Sequence, residues 1–337
     1  MAYSYGTNSL LMSTINRNRK YRMAAGFLAV GCAVVLLLWL TDTLVPSPGP
    51  VEGQHLNQQL NQQLAVPSYA DPSASQGTWE QLTSSTSGRV GFAVANVYNG
   101  PTAQAVSAWT SAIRQAHQGG IKVIGYVDTG YLGETTVGHP EGLATRSGLT
   151  GLAAWTAQAQ ADVASWYQHY GSDLAGVFFD QVPDRCGSPA APTLYSDAYS
   201  TLGNEVKRAH PGALTVLNPG TAVPRCFEDS ADVLVTFEGT YAAYMGATSS
   251  HDGYRPLSWV PTDPQRVCHL VYGAPSLAEM QQVMEVSKSR HAGYVYVTDD
   301  ASRNPYKALP APAYWSVEQT SSFPYGIPIA ARASSSS

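Results

Sequence analysis

Between residues 64 and 298 the chain alternates two hydrophobic patterns. Short runs rich in Val, Ile, Leu, Phe and Tyr recur at Leu64–Tyr69, Val90–Asn96, Ile121–Val127, Gly176–Asp180, Leu214–Asn218, Val233–Glu238, Cys268–Tyr272 and Gly293–Thr298. Several are nearly continuous apolar runs, as expected of parallel strands covered on both faces. Between them lie Ala105–Gln118, Leu152–Tyr170, Leu194–His210 and Leu277–His291, where apolar residues return every three to four positions and predict amphipathic helices. Eight such alternations over about 250 residues predict a (β/α)8 TIM barrel in the α/β class. A doubly wound open sheet shares the alternation, but no G-x-G-x-x-G follows the first run and no phosphate loop occurs.

Upstream the pattern changes. From Met23 to Thr41 nineteen residues pass without a charge, nearly enough at 1.5 Å per residue to cross a hydrocarbon core of roughly 30 Å. This predicts a transmembrane signal anchor over residues 23–45. Arg17, Arg19, Lys20 and Arg22 precede it and only Asp42 follows closely, so residues 1–22 are expected in the cytoplasm and the barrel outside the cell. A cleaved signal peptide is the alternative, with the barrel secreted. Against it, the apolar run exceeds the usual h-region and no A-x-A site follows. Residues 46–62, Pro-rich and then Gln-rich, read as a linker, 63–315 as the barrel, and 316–337 as a loose tail without apolar periodicity.

Composition narrows the function. The 337 residues are 44% hydrophobic and 13% charged, with a net charge of −5. Disorder, coiled coil and a basic nucleic-acid binder are set aside. Removing the four N-terminal cations leaves 15 basic against 24 acidic groups, a net of −9 for the remainder. Cys32 lies in the apolar run, leaving Cys186, Cys226 and Cys268. None has C-x-x-C spacing, so no metal site is expected, and no cofactor is called for. Cys186 and Cys226 follow strands four and five in D-R-C-G and P-R-C-F, neighbouring loops of one rim, and are expected to form a disulfide.

In such a barrel the site lies at the C-terminal ends of the strands. The residues there are Tyr69, Asn96 with Asn99 behind it, Tyr126 and Asp128, Asp180 and Gln181, Asn218, Glu238, Tyr272, and Asp299 with Asp300. Asp180 ends G-V-F-F-D-Q and Glu238 ends V-L-V-T-F-E, where a buried charge is costly unless it is paired or used. The structural alternative for Asp180 is a cap or a pair with Arg185, and for Glu238 a charged pair at the mouth. Asp128 and Asp299 also suit ordinary turn chemistry. Two carboxylates from different strands above one pocket are what glycoside hydrolysis requires, one protonated and one ionised. Tyr131, Tyr241, Tyr244 and Tyr272 offer faces for sugar rings. A lyase using a Schiff-base lysine is disfavoured, since the strands carry only Lys122.

The motifs V-I-G-Y-V-D-T-G-Y (123–131), G-V-F-F-D-Q-V-P (176–183), V-L-N-P-G-T (216–221) and V-T-F-E-G-T-Y (235–241) together resemble the spherulin 4-like glycoside hydrolases, the spherulation-specific family, over residues 64–315. The resemblance implies a (β/α)8 barrel that hydrolyses α-1,4-linked N-acetylgalactosamine or galactosamine exopolysaccharide internally. It implies Asp180 and Glu238 as the catalytic pair. Tyr69, Asn96, Tyr126, Asp128, Gln181, Asn218, Tyr241, Tyr272 and Asp299 are expected to bind substrate. Fungal members are expected to carry a second acid where this chain has Gln181, which can hydrogen-bond a sugar but cannot ionise. A partly deacetylated polymer is cationic and the external part of the chain acidic, which agrees. The alternative is a carbohydrate-binding or matrix-organising barrel without turnover.

Overall fold

In the computed structural model, which describes residues 62–135, 142–246 and 253–322, all eight apolar runs are parallel strands. They are β1 (Gln63–Ser68), β2 (Val90–Ala95), β3 (Lys122–Asp128), β4 (Gly176–Asp180), β5 (Leu214–Asn218), β6 (Val233–Thr240), β7 (Val267–Tyr272) and β8 (Tyr294–Val297). Each pairs with the next in chain order, and β8 returns to β1 through Gln63 opposite Tyr294 and Leu64 opposite Val295. The sheet is therefore a closed barrel, and the reason is visible in the strands. Val66, Val123, Val177, Val216 and Val295 are all fully buried, so no strand could serve as an exposed edge.

The helices are α1 (Gln76–Thr83), α2 (Ser107–Gln118), α3 (Leu152–Tyr170), α4 (Leu194–Ala209), the single turn α5 (Tyr241–Tyr244), α6 (Leu277–Ser289) and α7 (Pro312–Ser321). The predicted helices α2, α3, α4 and α6 stand where their periodicity places them. Ser276 opens α6 with a capping box, its hydroxyl accepting from Glu279 N while the Glu279 carboxylate accepts from Ser276 N. Trp166 of α3 sits directly on β3 because Gly125 has no side chain. A Cβ there would lie 2.5 Å from the indole, whose Nε1 instead donates to Tyr126 O at 2.7 Å.

Two boundaries differ from expectation. Gln62, assigned to the linker, is buried and donates through Nε2 to Ser287 Oγ and Ala292 O, both at 2.8 Å, so it belongs to the barrel. The supposed loose tail from residue 316 begins inside α7, whose Tyr314, Trp315, Glu318 and Gln319 are buried. Its inward face mixes the core rings of Tyr314 and Trp315 with Glu318 and Gln319, which hid it from a search for apolar periodicity, and hydrogen bonds add to the docking. Glu318 Oε1 accepts from Val297 N at 2.8 Å, Gln319 Oε1 from Thr86 N at 2.8 Å, and Trp315 Nε1 donates to Ser85 Oγ at 3.2 Å. The expected cytoplasmic segment, the anchor over 23–45, most of the linker and residues 323–337 lie outside the described residues. Among the described residues no helix is long and apolar enough to cross a membrane.

Glu318 supplies a test of this docking. It is 0% exposed, and burial pushes its carboxyl well above the ordinary value, so the neutral form is the one that fits beneath α7. A raised folded-state value means full stabilisation below the ordinary carboxylate range and progressive loss as pH rises towards the raised value. Glu318→Gln should therefore gain on the wild type as pH increases, by at most about 1.4 kcal/mol per pH unit, in thermal or urea unfolding from about pH 4 to 8. Parallel stability curves for the two proteins would contradict it.

Candidate active site

A cavity of about 750 Å3 opens at the C-terminal ends of the strands. Tyr69, Asn96, Tyr126, Asp180, Gln181, Asn218, Glu238 and Tyr272, all expected from the sequence, line it together with Asn99 and Tyr131. Asp180 and Asn218 close β4 and β5 in register, with Asp128 of β3 in the same row. Glu238 reaches the cavity by a different device. The pairing of β6 with β7 shifts between Val235 and Phe237, so Thr236 and Phe237 both turn to the helix side. Thr236 Oγ1 meets His269 Nε2 at 3.1 Å, and Phe237 packs on Tyr244 and Tyr254. The extra residue resets the alternation and turns Glu238 inward. Its N–H then donates to Gly220 O at 2.8 Å, where Gly220 holds a left-handed φ of 65°.

The two carboxylates are tied by one nitrogen. Asn218 Nδ2 donates to Asp180 Oδ1 at 2.7 Å and to Glu238 Oε2 at 2.6 Å, which bounds the separation of those two oxygens at 5.3 Å. Tyr126 Oη donates to Asp180 Oδ2 at 2.5 Å, and Tyr306 Oη to Glu238 Oε1 at 2.8 Å. Burial raises the Asp180 carboxyl, opposed by donors from Tyr126, the Gln181 N–H and Asn218. Burial also raises Glu238, the charge of Asp180 raises it further, and only Asn218 and Tyr306 oppose. Two like charges so close cannot both be ionised at low cost. Three donors favour the negative charge on Asp180, and that charge pushes the Glu238 carboxyl further towards its protonated form.

Arg185 does not pair with Asp180. It forms an ion pair with Glu134 instead, so the pairing explanation for Asp180 fails, while the Gln181 N–H does donate to its carboxylate. Three expected substrate contacts are also elsewhere. Asp128 turns back on the loop behind it, its Oδ1 accepting from Gly130 N at 3.0 Å, and burial above all raises its carboxyl to about 6. Tyr241 starts α5, and its hydroxyl donates to Gln282 Oε1 at 2.7 Å on the helix side. Asp299 is exposed beyond the end of β8 and does not line the cavity. Tyr244, offered as a sugar platform, is fully buried with its hydroxyl 2.8 Å from His269 Nδ1.

In place of Asp299, the loop after β8 contributes residues 301–306, including Arg303 and Tyr306. Sequence reasoning stopped at the strand end and missed them. The faint signal was an aromatic residue after N-P, a turn that can bring a ring back over the barrel. The expected bridge joins Cys186 to Cys226 across 40 residues, and Cys268 is free and buried in β7. Among the described residues no cluster of His, Cys, Asp and Glu could hold a metal ion.

A sequence model of the family described as Spherulation-specific family 4 matches residues 63–319. Among solved structures the chain is similar to Sph3 of Aspergillus clavatus, determined in complex with GalNAc. Identity is 18%, covering 77% of this chain and 98% of that one, with a TM-score of 0.56. It is also similar to the glycoside hydrolase domain of PelA from Pseudomonas aeruginosa, at 16% identity, 71% and 96% coverage and a TM-score of 0.45. Comparison with curated protein sequences finds no match. At such identities the structural likeness speaks to the fold.

The disulfide anchors the loop that follows Asp180 to the one that follows Asn218. Closing a loop of 40 residues restricts the unfolded chain by about 4 kcal/mol on chain-entropy grounds. Replacing both Cys186 and Cys226 with Ser should lower stability by up to that amount in denaturant unfolding. Reductant should destabilise the wild type alone. Equal midpoints for the two proteins would show that the bridge contributes nothing.

Proposed function

The chain belongs to the spherulation-specific family 4, and we propose that it is an extracellular, endo-acting glycoside hydrolase of α-1,4-linked galactosamine or N-acetylgalactosamine polymer, using Asp180 and Glu238. The observation that carries this reading is the single amide nitrogen of Asn218 shared by both carboxylates. The two facing oxygens lie within 5.3 Å of each other, which supports a mechanism with retention, for which carboxyl groups stand about 5 to 5.5 Å apart, over inversion, for which they stand about 6.5 to 9.5 Å apart.

In the first half-reaction Asp180 attacks the anomeric carbon while Glu238 protonates the departing glycosidic oxygen. In the second, Glu238, now ionised, takes a proton from water, which displaces Asp180 and restores both groups. Asn218 serves each step because its amide nitrogen holds one oxygen of each carboxyl group. The GalNAc in the Sph3 complex supports an amino sugar as the substrate class. The lyase alternative gains nothing, since Lys122 lies exposed at the start of β3, at the opposite end of the barrel from the cavity.

An external location is supported by the charge asymmetry around residues 23–41 and by the Cys186–Cys226 bridge, which persists in oxidising compartments. Tethering through residues 23–45 keeps the enzyme at the cell surface. External protease should degrade the barrel on intact cells while the N-terminus stays protected, and a mature N-terminus beyond residue 45 in the medium would indicate release instead.

The catalytic assignment is tested with purified protein on poly-α-1,4-galactosamine, with and without N-acetylation. Asp180→Asn and Glu238→Gln should each reduce release of reducing ends on the order of 10³-fold while leaving the fold unchanged. The first product seen by NMR should be the α-anomer. A wild-type protein that binds the polymer without cleaving it would favour the carbohydrate-binding alternative. Initial release of the β-anomer would refute retention.

A further inference from the structure

Glu238 has two hydrogen-bonding neighbours, and they differ in kind. Asn218 offers N–H groups and only donates at Nδ2. Tyr306 offers a hydroxyl, which donates or accepts according to how it rotates. This difference matters because Glu238 must be an acid in one half-reaction and a carboxylate in the other. An amide N–H only donates, and it bonds the carboxylate more strongly than the neutral acid. A phenol can accept from the acid and donate to the anion without moving a heavy atom.

The rings around Tyr306 are built to hold it there. Tyr306 is buried, and its carbonyl accepts from Tyr69 N at 3.0 Å, pinning the loop after β8 to the end of β1. The Tyr306 and Tyr69 rings meet edge to face with centroids 5.5 Å apart, and Tyr69 meets Tyr126 the same way at 5.7 Å. Three aromatic rings thus form a bracket over the pair. Each outer ring touches one carboxylate, and the middle one fixes the spacing between them.

We propose that Tyr306 is a positioning residue for the proton-transferring carboxyl, holding Glu238 in place in both its protonated and its ionised state. The inference rests on the reading that Glu238 moves the proton. The other titratable groups facing Glu238 are Asp180 from β4, Tyr69 from the end of β1, Tyr131 from the loop after β3 and Cys268 from β7. Arg303 lines the same cavity. The Tyr306 hydroxyl is the one among these titratable groups that hydrogen-bonds Glu238, and its bond opposes the upward push of burial and of Asp180. Removing it takes a donor from the anion, so Glu238 should hold its proton to higher pH.

Tyr306→Phe keeps the ring and its edge contacts, and Tyr296→Phe is the control. The Tyr296 ring lies tilted against Tyr306 at 6.2 Å without a hydrogen bond to Glu238. The first readout needs no substrate. The Glu238 resonance of carboxyl-13C-labelled protein, assigned by its loss in Glu238→Gln, is followed against pH. Its midpoint should rise by about one pH unit in Tyr306→Phe, as expected for loss of one charge-assisted hydrogen bond, and stay put in Tyr296→Phe. The second readout is the pH profile of kcat/KM on partly N-acetylated α-1,4-galactosamine oligomers. Tyr306→Phe should move the alkaline limb upward by a similar amount, whereas Tyr126→Phe should move the acidic limb upward through Asp180. An unchanged Glu238 midpoint in Tyr306→Phe, or a profile scaled down with both limbs in place, overturns the proposal. A raised midpoint in a protein that never cleaves the oligomers upholds the Tyr306 coupling and removes the glycosidase reading instead.

Discussion

One amide nitrogen bears on two buried oxygens, and the rim of the barrel is arranged around it. Asn218 sits between Asp180 on one neighbouring strand and Glu238 on the other. Setting two half-buried carboxyl groups side by side costs desolvation, which proximity of like charge makes worse. The arrangement offsets it twice over. Every oxygen of the pair accepts a hydrogen bond, from Tyr126, Asn218 or Tyr306. Retention of one proton also removes the second charge.

That interaction demands geometry from parts of the chain with no chemistry of their own. Asp180 and Asn218 meet because β4 and β5 end in register, and that register is held by strands whose side chains are buried on both faces. Glu238 would lose its place by one residue without the bulge at Thr236, because successive strand residues face opposite sides. The bulge in turn is fixed on the outside by His269 and by Phe237 among its tyrosine neighbours. An outward-facing histidine outside the cavity lining therefore helps to aim the Glu238 carboxylate into the cavity.

The sequence was most readable where one force dominates. Fully buried strands announce themselves as apolar runs, and β4 and β5 were placed to the residue. The two carboxyl groups that meet in the cavity were readable for the same reason, since Asp180 and Glu238 interrupt such runs with a charge. Helices α1 and α7 were not readable. The first is eight residues long with few anchors, Trp79 and Leu82 among them, and the second alternates core aromatics, Tyr314 and Trp315, with buried polar Glu318 and Gln319. At the rim, position along the chain told less than direction. Asp128 closes a strand as Asp180 does, yet the turn at Gly130 captures its carboxylate. Tyr306, nine residues beyond β8, touches Glu238 although no strand periodicity reaches that far.

The acidity of the chain also takes on a different meaning once the cavity is known. Among the residues lining the cavity the charged ones are Asp180, Glu238 and Arg303. With Glu238 protonated, the remaining carboxylate and the guanidinium balance. Counted formally, Asp180, Glu238 and Arg303 contribute −1 of the chain's −5, so −4 lies outside the cavity, and at physiological salt its influence fades over roughly 8 Å of solvent. A cationic polymer, the substrate proposed above, can be drawn to such a surface, whereas the choice of sugar unit would fall to hydrogen bonds within the polar cavity. The acidity of the chain thus bears on encounter, and the proposed chemistry on the pair of oxygens that Asn218 holds together.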